Sequence, residues 1–146
     1  MTPTLKQLGL ASILCGSMAL GGCQSMGMGS QTWTMNPSAE SATAAVGKVK
    51  VANQKDGNTN VKVEVDHLAP ATIASEHATA YVVWIKPEHG APQNVGILSV
   101  GSNRKGSLAT KTPYKEFTVL VTLERSPAAT TPMGEHVLDT RITMPT

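Results

Sequence analysis

Cysteine, aromatic residues and charge are all scarce in this sequence. Two cysteines, two tryptophans, two tyrosines and one phenylalanine occur among 146 residues, and charged residues account for 15%. No run of clustered lysine and arginine interleaved with aromatics is present, which argues against nucleic-acid binding. The low charge argues against a highly charged disordered chain, and the length argues against a multi-pass membrane protein. The length suits a single domain.

The places of the two cysteines exclude several kinds of site. Cys15 lies in an apolar stretch near the N-terminus, and no cysteine follows Cys23. A domain formed after Cys23 therefore has no disulfide, no thiolate nucleophile and no thiolate metal ligand. A blue-copper centre is excluded too, because it needs a cysteine in the domain. The stability of this domain has to come from its apolar core.

The N-terminus has the pattern of an export signal. Lys6 precedes an apolar stretch over residues 8–20, which is too short to span a bilayer and ends in small residues. Residues 20–23 (LGGC) resemble the bacterial lipobox, whose cysteine receives acyl chains such as palmitate before cleavage makes it the first residue. We therefore predict a lipoprotein signal peptide over residues 1–22 and lipid attachment at Cys23.

The residues after the lipobox predict a destination and a tether. Gln24 stands where sorted lipoproteins that stay at the inner membrane usually have an aspartate, so we expect the periplasmic face of the outer membrane in a Gram-negative source. Residues 23–45 are small and polar and show no helical or strand period. They are interpreted as a lipidated N-terminus with a flexible tether, followed by one folded domain over residues 46–146.

From residue 46 onward the apolar residues recur with the period of β-strands. Valines at 49 and 51, and again at 61, 63 and 65, alternate with polar residues on either side of an Asp-Gly-Asn turn at 56–58, which predicts a hairpin. Further strands are predicted over residues 81–85, 95–100, 107–110, 117–123 and 136–144. About seven short strands without an amphipathic helix predict an all-β, immunoglobulin-like antiparallel sandwich.

Tyr81 and Trp84 lie on the most apolar predicted strand. Because they are three residues apart, their side chains are expected to face opposite sides of the sheet. We predict Trp84 as the central core aromatic. The alternative, functional interpretation is that Tyr81 marks a partner surface.

Two segments of the domain resemble the extracytoplasmic C-terminal domain of anti-sigma-K factors. The shared motifs are packing and turn motifs: Tyr81-x-x-Trp84, Gly90-x-Pro92, a strand through Gly96, the strand 119–124, a loop with Pro127 and Pro132, and Val137-Leu138. The resemblance implies an exported sandwich module with no assigned catalytic residues. The helical sigma-binding region and membrane-spanning helix of such factors have no counterpart here, so no contact with a sigma factor is expected.

Methionine and histidine raise the alternative of a periplasmic copper-handling lipoprotein. Met26, Met28 and Met35 carry thioethers that could bind Cu(I), but three methionines in a tether are more often incidental. All four histidines directly follow an acidic residue, in the pairs 66–67, 76–77, 88–89 and 135–136. Adjacent strand residues face opposite sides, so such a pair cannot chelate one ion, and surface histidines are the preferred interpretation.

No other sequence motif indicates a catalytic activity. Gly-x-Ser-x-Gly and a glycine-rich phosphate loop are absent, and residues 101–106, with Arg104 and Lys105, fit a solvated hairpin turn better than an anion-binding loop. The sequence therefore predicts a non-enzymatic, lipid-anchored envelope protein, without metal or cofactor, whose domain binds or senses an envelope partner.

Overall fold

The strands of the protein close into one antiparallel barrel. A computed structural model describes residues 29–145, apart from the side chain of Ser41, so the predicted signal peptide and Cys23 lie outside the described residues. The elements in chain order are β1 Ser30–Pro37, a 3-10 helix Glu40–Ala42, β2 Val46–Asn53, β3 Thr59–Asp66, α1 Ala71–Ala74, β4 Ala80–Pro87, β5 Gln93–Val100, β6 Gly106–Thr112, β7 Glu116–Glu124 and β8 Glu135–Thr143. Around the barrel the strands follow the order β1-β2-β3-β6-β5-β4-β7-β8.

The all-β prediction is confirmed, but the seven-stranded sandwich is wrong. A sandwich has two sheets with open edges, whereas here β1 and β5 each pair with neighbours on both sides. The last two residues of β1 pair with β8, Asn36 with Asp139 and Pro37 with Leu138. On the other side, β5 pairs along most of its length with β4, and its last two residues pair with β6. These two strands join the sheets and close the barrel.

Strand β1 lies in the segment predicted as a flexible tether. Six of its residues pair with β2, from Ser30 opposite Ala52 to Met35 opposite Gly47. Met35 is 2% exposed, and Trp33 packs against the same core. Period-two alternation is present in this strand, but its outward positions are serine, threonine and asparagine, so the strand looks like part of a polar stretch in the sequence. The folded domain therefore includes residues 30–45, which are not a tether.

The predicted β2–β3 hairpin is confirmed. Val49 lies opposite Val63 and Val51 opposite Val61, and all four side chains are buried inside the barrel. The turn between them has Gly57 at a φ of 89°, in the left-handed region that glycine adopts at low cost. The face of β7 that was predicted to be apolar also points inward, and its members are Phe117, Val119, Val121 and Leu123.

Candidate functional site

The residues predicted for copper do not form a site in the described part of the chain. Met26 and Met28 lie outside the described residues. Met35 is buried in the barrel core, where its thioether packs among apolar side chains. Between residues 29 and 145 no group of three or more His, Cys, Asp or Glu side chains is placed to hold a metal ion. No observation on this part of the molecule therefore favours the copper alternative.

Tyr81 points into the barrel, which is the opposite of its functional interpretation. It is 1% exposed, and its hydroxyl donates a hydrogen bond of 2.6 Å to the carbonyl oxygen of Ala69. Burial raises the pKa of Tyr81 to about 12, and the negative charge of Glu135 acts in the same direction. Tyr81 is thus a core residue, not a partner surface.

The raised pKa of Tyr81 predicts a loss of stability at alkaline pH. Its pKa in the folded protein, about 12, lies above the value of 10.0 that applies when it is solvated. The unfolded chain therefore loses this proton first, so we expect the free energy of unfolding to fall as pH rises from about 10 to 12. Urea unfolding across that range measures the slope. In Tyr81→Phe the part of the slope due to this group should vanish, and an unchanged slope would contradict the assignment.

Trp84 is buried, but on the outside of the barrel. Together with Val82 and Leu120 it forms a second small apolar cluster, separate from the core, with Ala129 packed against it. Ala129 belongs to the loop over residues 125–134, which we call the strap because it crosses the outer face of β4 and β7. The prediction that Trp84 is the central core aromatic is therefore wrong, although its burial is complete.

A chain of hydrogen bonds runs from Trp84 into the strap. The indole Nε1 donates to the Oγ1 of Thr122 at 2.8 Å, and the Thr122 hydroxyl donates to Glu124 Oε1 at 2.6 Å. The same Oε1 accepts the backbone N–H groups of Met133 and Gly134, each at 3.1 Å, and the Oε2 also accepts from Gly134 at 3.0 Å. A buried carboxylate is tolerated where such donors surround it. Glu124 thereby holds the C-terminal end of the strap.

Asn94 holds the other end of the strap. Its Nδ2 donates to the carbonyl oxygens of Pro127 at 3.1 Å and Ala129 at 2.9 Å. At Gly134 an added Cβ would overlap the carbonyl oxygen of Leu123, so only glycine lets the strap return this closely to β7. The sequence predicted this loop but not its attachments, since nothing in a lone Glu or Asn shows which backbone groups its side chain will bind.

A surface groove of about 650 Å³ lies where β2 begins and β3 ends. We call it the Asp66 groove, because Asp66 contacts two basic side chains there. Its Oδ1 lies 3.4 Å from the Nδ1 of His67, and its Oδ2 lies 3.6 Å from the Nζ of Lys105. The groove is lined by residues of four strands and of the connections that follow β3 and β5, namely Val46, Lys48, Glu64, Val65, Asp66, His67, Ser99, Lys105, Gly106 and Ser107.

Left-handed backbone shapes one wall of the Asp66 groove. His67 and Arg104 have φ values of 60° and 63°, an uncommon conformation for residues with a side chain. Leu68 N–H bonds the carbonyl oxygen of Arg104 at 3.1 Å, which joins the two strained positions. The turn at His67 brings its imidazole back to Asp66, so the expectation that such a pair faces opposite sides is wrong here. Strain of this kind is concentrated at functional sites.

The Asp66 groove presents side chains that can bind polar groups. Ser99 and Ser107 line it, but no hydrogen bond within the described residues joins either serine to His67. In the neighbouring turn, the N–H groups of Arg104 and Lys105 already bond Gly101 and Asn103, which favours the solvated-turn interpretation over an anion loop. The groove offers a carboxylate, an imidazole and ammonium groups beside the exposed side chain of Val46.

The fold also brings together two carboxylates that are distant in sequence. A hydrogen bond with Glu116, and then the charge of Arg141, lower the pKa of Glu88, while the same hydrogen bond raises the pKa of Glu116. Arg141 Nη2 contacts Glu88 Oε1 at 2.8 Å. Both carboxylates are exposed, so solvent screens their interaction. The pair therefore belongs to the exposed surface at one end of the barrel.

No protein family, no curated protein and no solved structure matches this chain. The resemblance to the anti-sigma-K domain stays a prediction, and the sandwich that it implied is not the arrangement found. Between residues 29 and 145 no helix has the length and apolarity needed to cross a membrane.

Proposed function

We propose that this chain is a lipid-anchored cell-envelope protein whose barrel is a non-catalytic binding module. The observation that carries the proposal is the LGGC sequence at 20–23 directly behind a short apolar signal. Acylation with more than one chain makes such anchoring stable, because each buried methylene contributes about 0.8 kcal/mol. Gln24 in place of aspartate supports the periplasmic face of the outer membrane in a Gram-negative source.

The distance between the proposed anchor and the barrel supports a function at the membrane surface. β1 begins at Ser30, seven residues after Cys23. Seven residues extend over at most about 25 Å. The barrel would then stay close to the lipid headgroups, and its partners would be molecules of the envelope near that surface.

The Asp66 groove is the proposed contact site of the module. It combines charges of both signs with the exposed side chain of Val46, which suits a ligand that carries polar and apolar groups together. Exposed ion pairs such as Asp66 with Lys105 contribute little to stability, so these side chains are free to exchange their partners for a ligand.

Metabolic labelling tests the anchor. We expect radioactive palmitate to label the protein in its host and the label to disappear in Cys23→Ala. Cys15→Ala is the matched control, because this cysteine lies inside the apolar stretch and should not change the labelling. A wild-type chain without label, or label that persists in Cys23→Ala, would rule out the proposed function.

A further inference from the structure

The register of β2, β3 and β6 assembles lysines that are scattered in the sequence. On the outer face, Lys50 lies directly opposite Lys62, and Lys111 lies opposite Asn60 in the adjacent row. Lys48 precedes Lys50 by two residues on the same strand and the same face. All four side chains are exposed. We call this surface the lysine face.

Acidic residues lie mainly at one end of the lysine face. Glu64 bridges Lys50 at 2.9 Å and Lys62 at 3.2 Å, and Asp66 lies beyond it at the Asp66 groove. Toward the β2–β3 turn, the rows that contain Lys62 and Lys111 hold no carboxylate on β1, β2, β3 or β6. The turn itself adds one charge of each sign, Lys55 and Asp56.

Like charges placed opposite each other are unfavourable unless something compensates them. Lys50 and Lys62 form such a cross-strand pair, with a single shared carboxylate at Glu64. An anionic surface would relieve this repulsion.

The described chain begins at the lysine face. Ser30 pairs with Ala52 at the start of β1 and lines a depression of about 420 Å³ together with Lys50, Lys62 and Lys111. The barrel is therefore joined beside these lysines to the segment that leads back to Cys23. Because it holds only seven residues, an anchor at Cys23 would hold the lysine face next to the bilayer.

The same depression contains an unmet hydrogen-bond acceptor. Among the described residues, Asn60 Oδ1 is buried without a donor. Because this oxygen is closed to solvent, a phosphatidylglycerol headgroup would contact only the lysines of the depression, to which its phosphate offers a partner.

We propose that the lysine face docks on the anionic headgroups of the membrane that carries the anchor. The barrel then lies on its side, with β2 and β3 toward the lipid. Each lysine near such a surface strengthens the attraction about fivefold, and the effect decays within about 8 Å at physiological salt. This inference rests on the proposed anchor at Cys23.

Lysine footprinting of the lipidated protein tests the docking. The protein is purified from its host and reconstituted in vesicles of phosphatidylcholine alone or mixed equally with phosphatidylglycerol, then acetylated with an uncharged reagent. We expect Lys50, Lys62 and Lys111 to react about fivefold more slowly in the anionic vesicles, with the difference removed by high salt. Lys86 is the internal reference, because β4 lies across the barrel from β2. If anionic vesicles changed the acetylation rates of all four lysines by the same factor, the proposal would be overturned.

A matched pair of double variants separates the lysine face from total charge. Lys48→Gln/Lys111→Gln removes two cations from the face, and Lys86→Gln/Arg125→Gln removes two from the far side; because the second variant lacks the reference Lys86, each lysine's rate is compared with its own rate in phosphatidylcholine vesicles. None of these four is in an ion pair within residues 29–145. We expect only the first variant to lose the protection of Lys50 and Lys62, as its docking equilibrium weakens roughly 25-fold. Equal effects of the two variants would contradict docking by this face.

Two further outcomes separate lipid docking from self-association and from loss of the anchor. Protection that is as strong in phosphatidylcholine as in anionic vesicles would mean that a second copy of the chain covers the face, which overturns lipid docking. The mass of the N-terminal peptide shows in the same sample whether Cys23 carries lipid. If it carries none, the proposed function fails separately, and flotation of the unanchored chain with phosphatidylglycerol vesicles decides the docking. Flotation supports it, and its absence overturns it.

Discussion

Replacing Trp84 by alanine is expected to lower the free energy of unfolding by about 4 kcal/mol. The side chain is 0% exposed and fills the space between Val82, Leu120 and the strap, so its removal leaves a cavity on the outer wall of the barrel. The Thr122 hydroxyl loses the indole donor as well. Urea unfolding followed by circular dichroism measures the loss without relying on tryptophan fluorescence.

The control for Trp84→Ala comes from the strap. Met133 is 86% exposed, so Met133→Ala removes an apolar side chain of the strap without leaving a cavity, and we expect a change within about 0.5 kcal/mol. Trp84→Phe keeps a ring but loses the N–H donor, and it should fall between the two. If Trp84→Ala cost no more than Met133→Ala, the outer cluster would not stabilise the protein.

The second large effect is expected for Glu124→Ala, at about 3 kcal/mol. The carboxylate is 4% exposed and accepts backbone and side-chain donors from Thr122, Met133 and Gly134. Alanine leaves the buried Thr122 hydroxyl and the partly buried N–H groups of Met133 and Gly134 without this acceptor, and it frees the C-terminal end of the strap. We therefore expect trypsin to cut after the exposed Arg125 much faster in this variant, because cleavage requires the strap to open locally.

Two variants define the specificity of that result. Glu124→Gln keeps one acceptor oxygen and the side-chain shape, and it should lose less stability than Glu124→Ala. Glu76→Ala removes an acid from the connection before β4 and should change neither stability nor the rate of cleavage. A strap that is cut equally fast with and without Glu124 would show that the carboxylate does not hold it.

Strand β4 shows most clearly which structural features could be predicted from the sequence and which could not. Its six residues from Ala80 to Ile85 are all buried, because the core covers one face and the strap covers the other. A strand that is apolar on both faces carries no alternation of polarity, so its burial was predictable while its orientation was not. For that reason Tyr81 and Trp84 could be assigned to opposite faces but not to the correct ones.

The two candidate surfaces, like the orientation of β4, could not be predicted from the sequence. The Asp66 groove depends on the left-handed turn at His67, which the local sequence does not predict. The lysine face depends on the register of three strands that are up to about half the domain apart in sequence. A search for a clustered basic run cannot find such a face, since alternate residues of each strand point into the barrel.

The sequence by itself determined the strands from β2 to β8, the turn at Gly57 and the absence of a cysteine after Cys23, because strand period, turn geometry and composition are local properties. Only the tertiary structure decided that an eighth strand exists and that β1 pairs with β8 to close a barrel. Closure depends on pairing between the two ends of the domain, and the polar alternation of β1 gives no signal of it until β2 and β8 supply its hydrogen bonds.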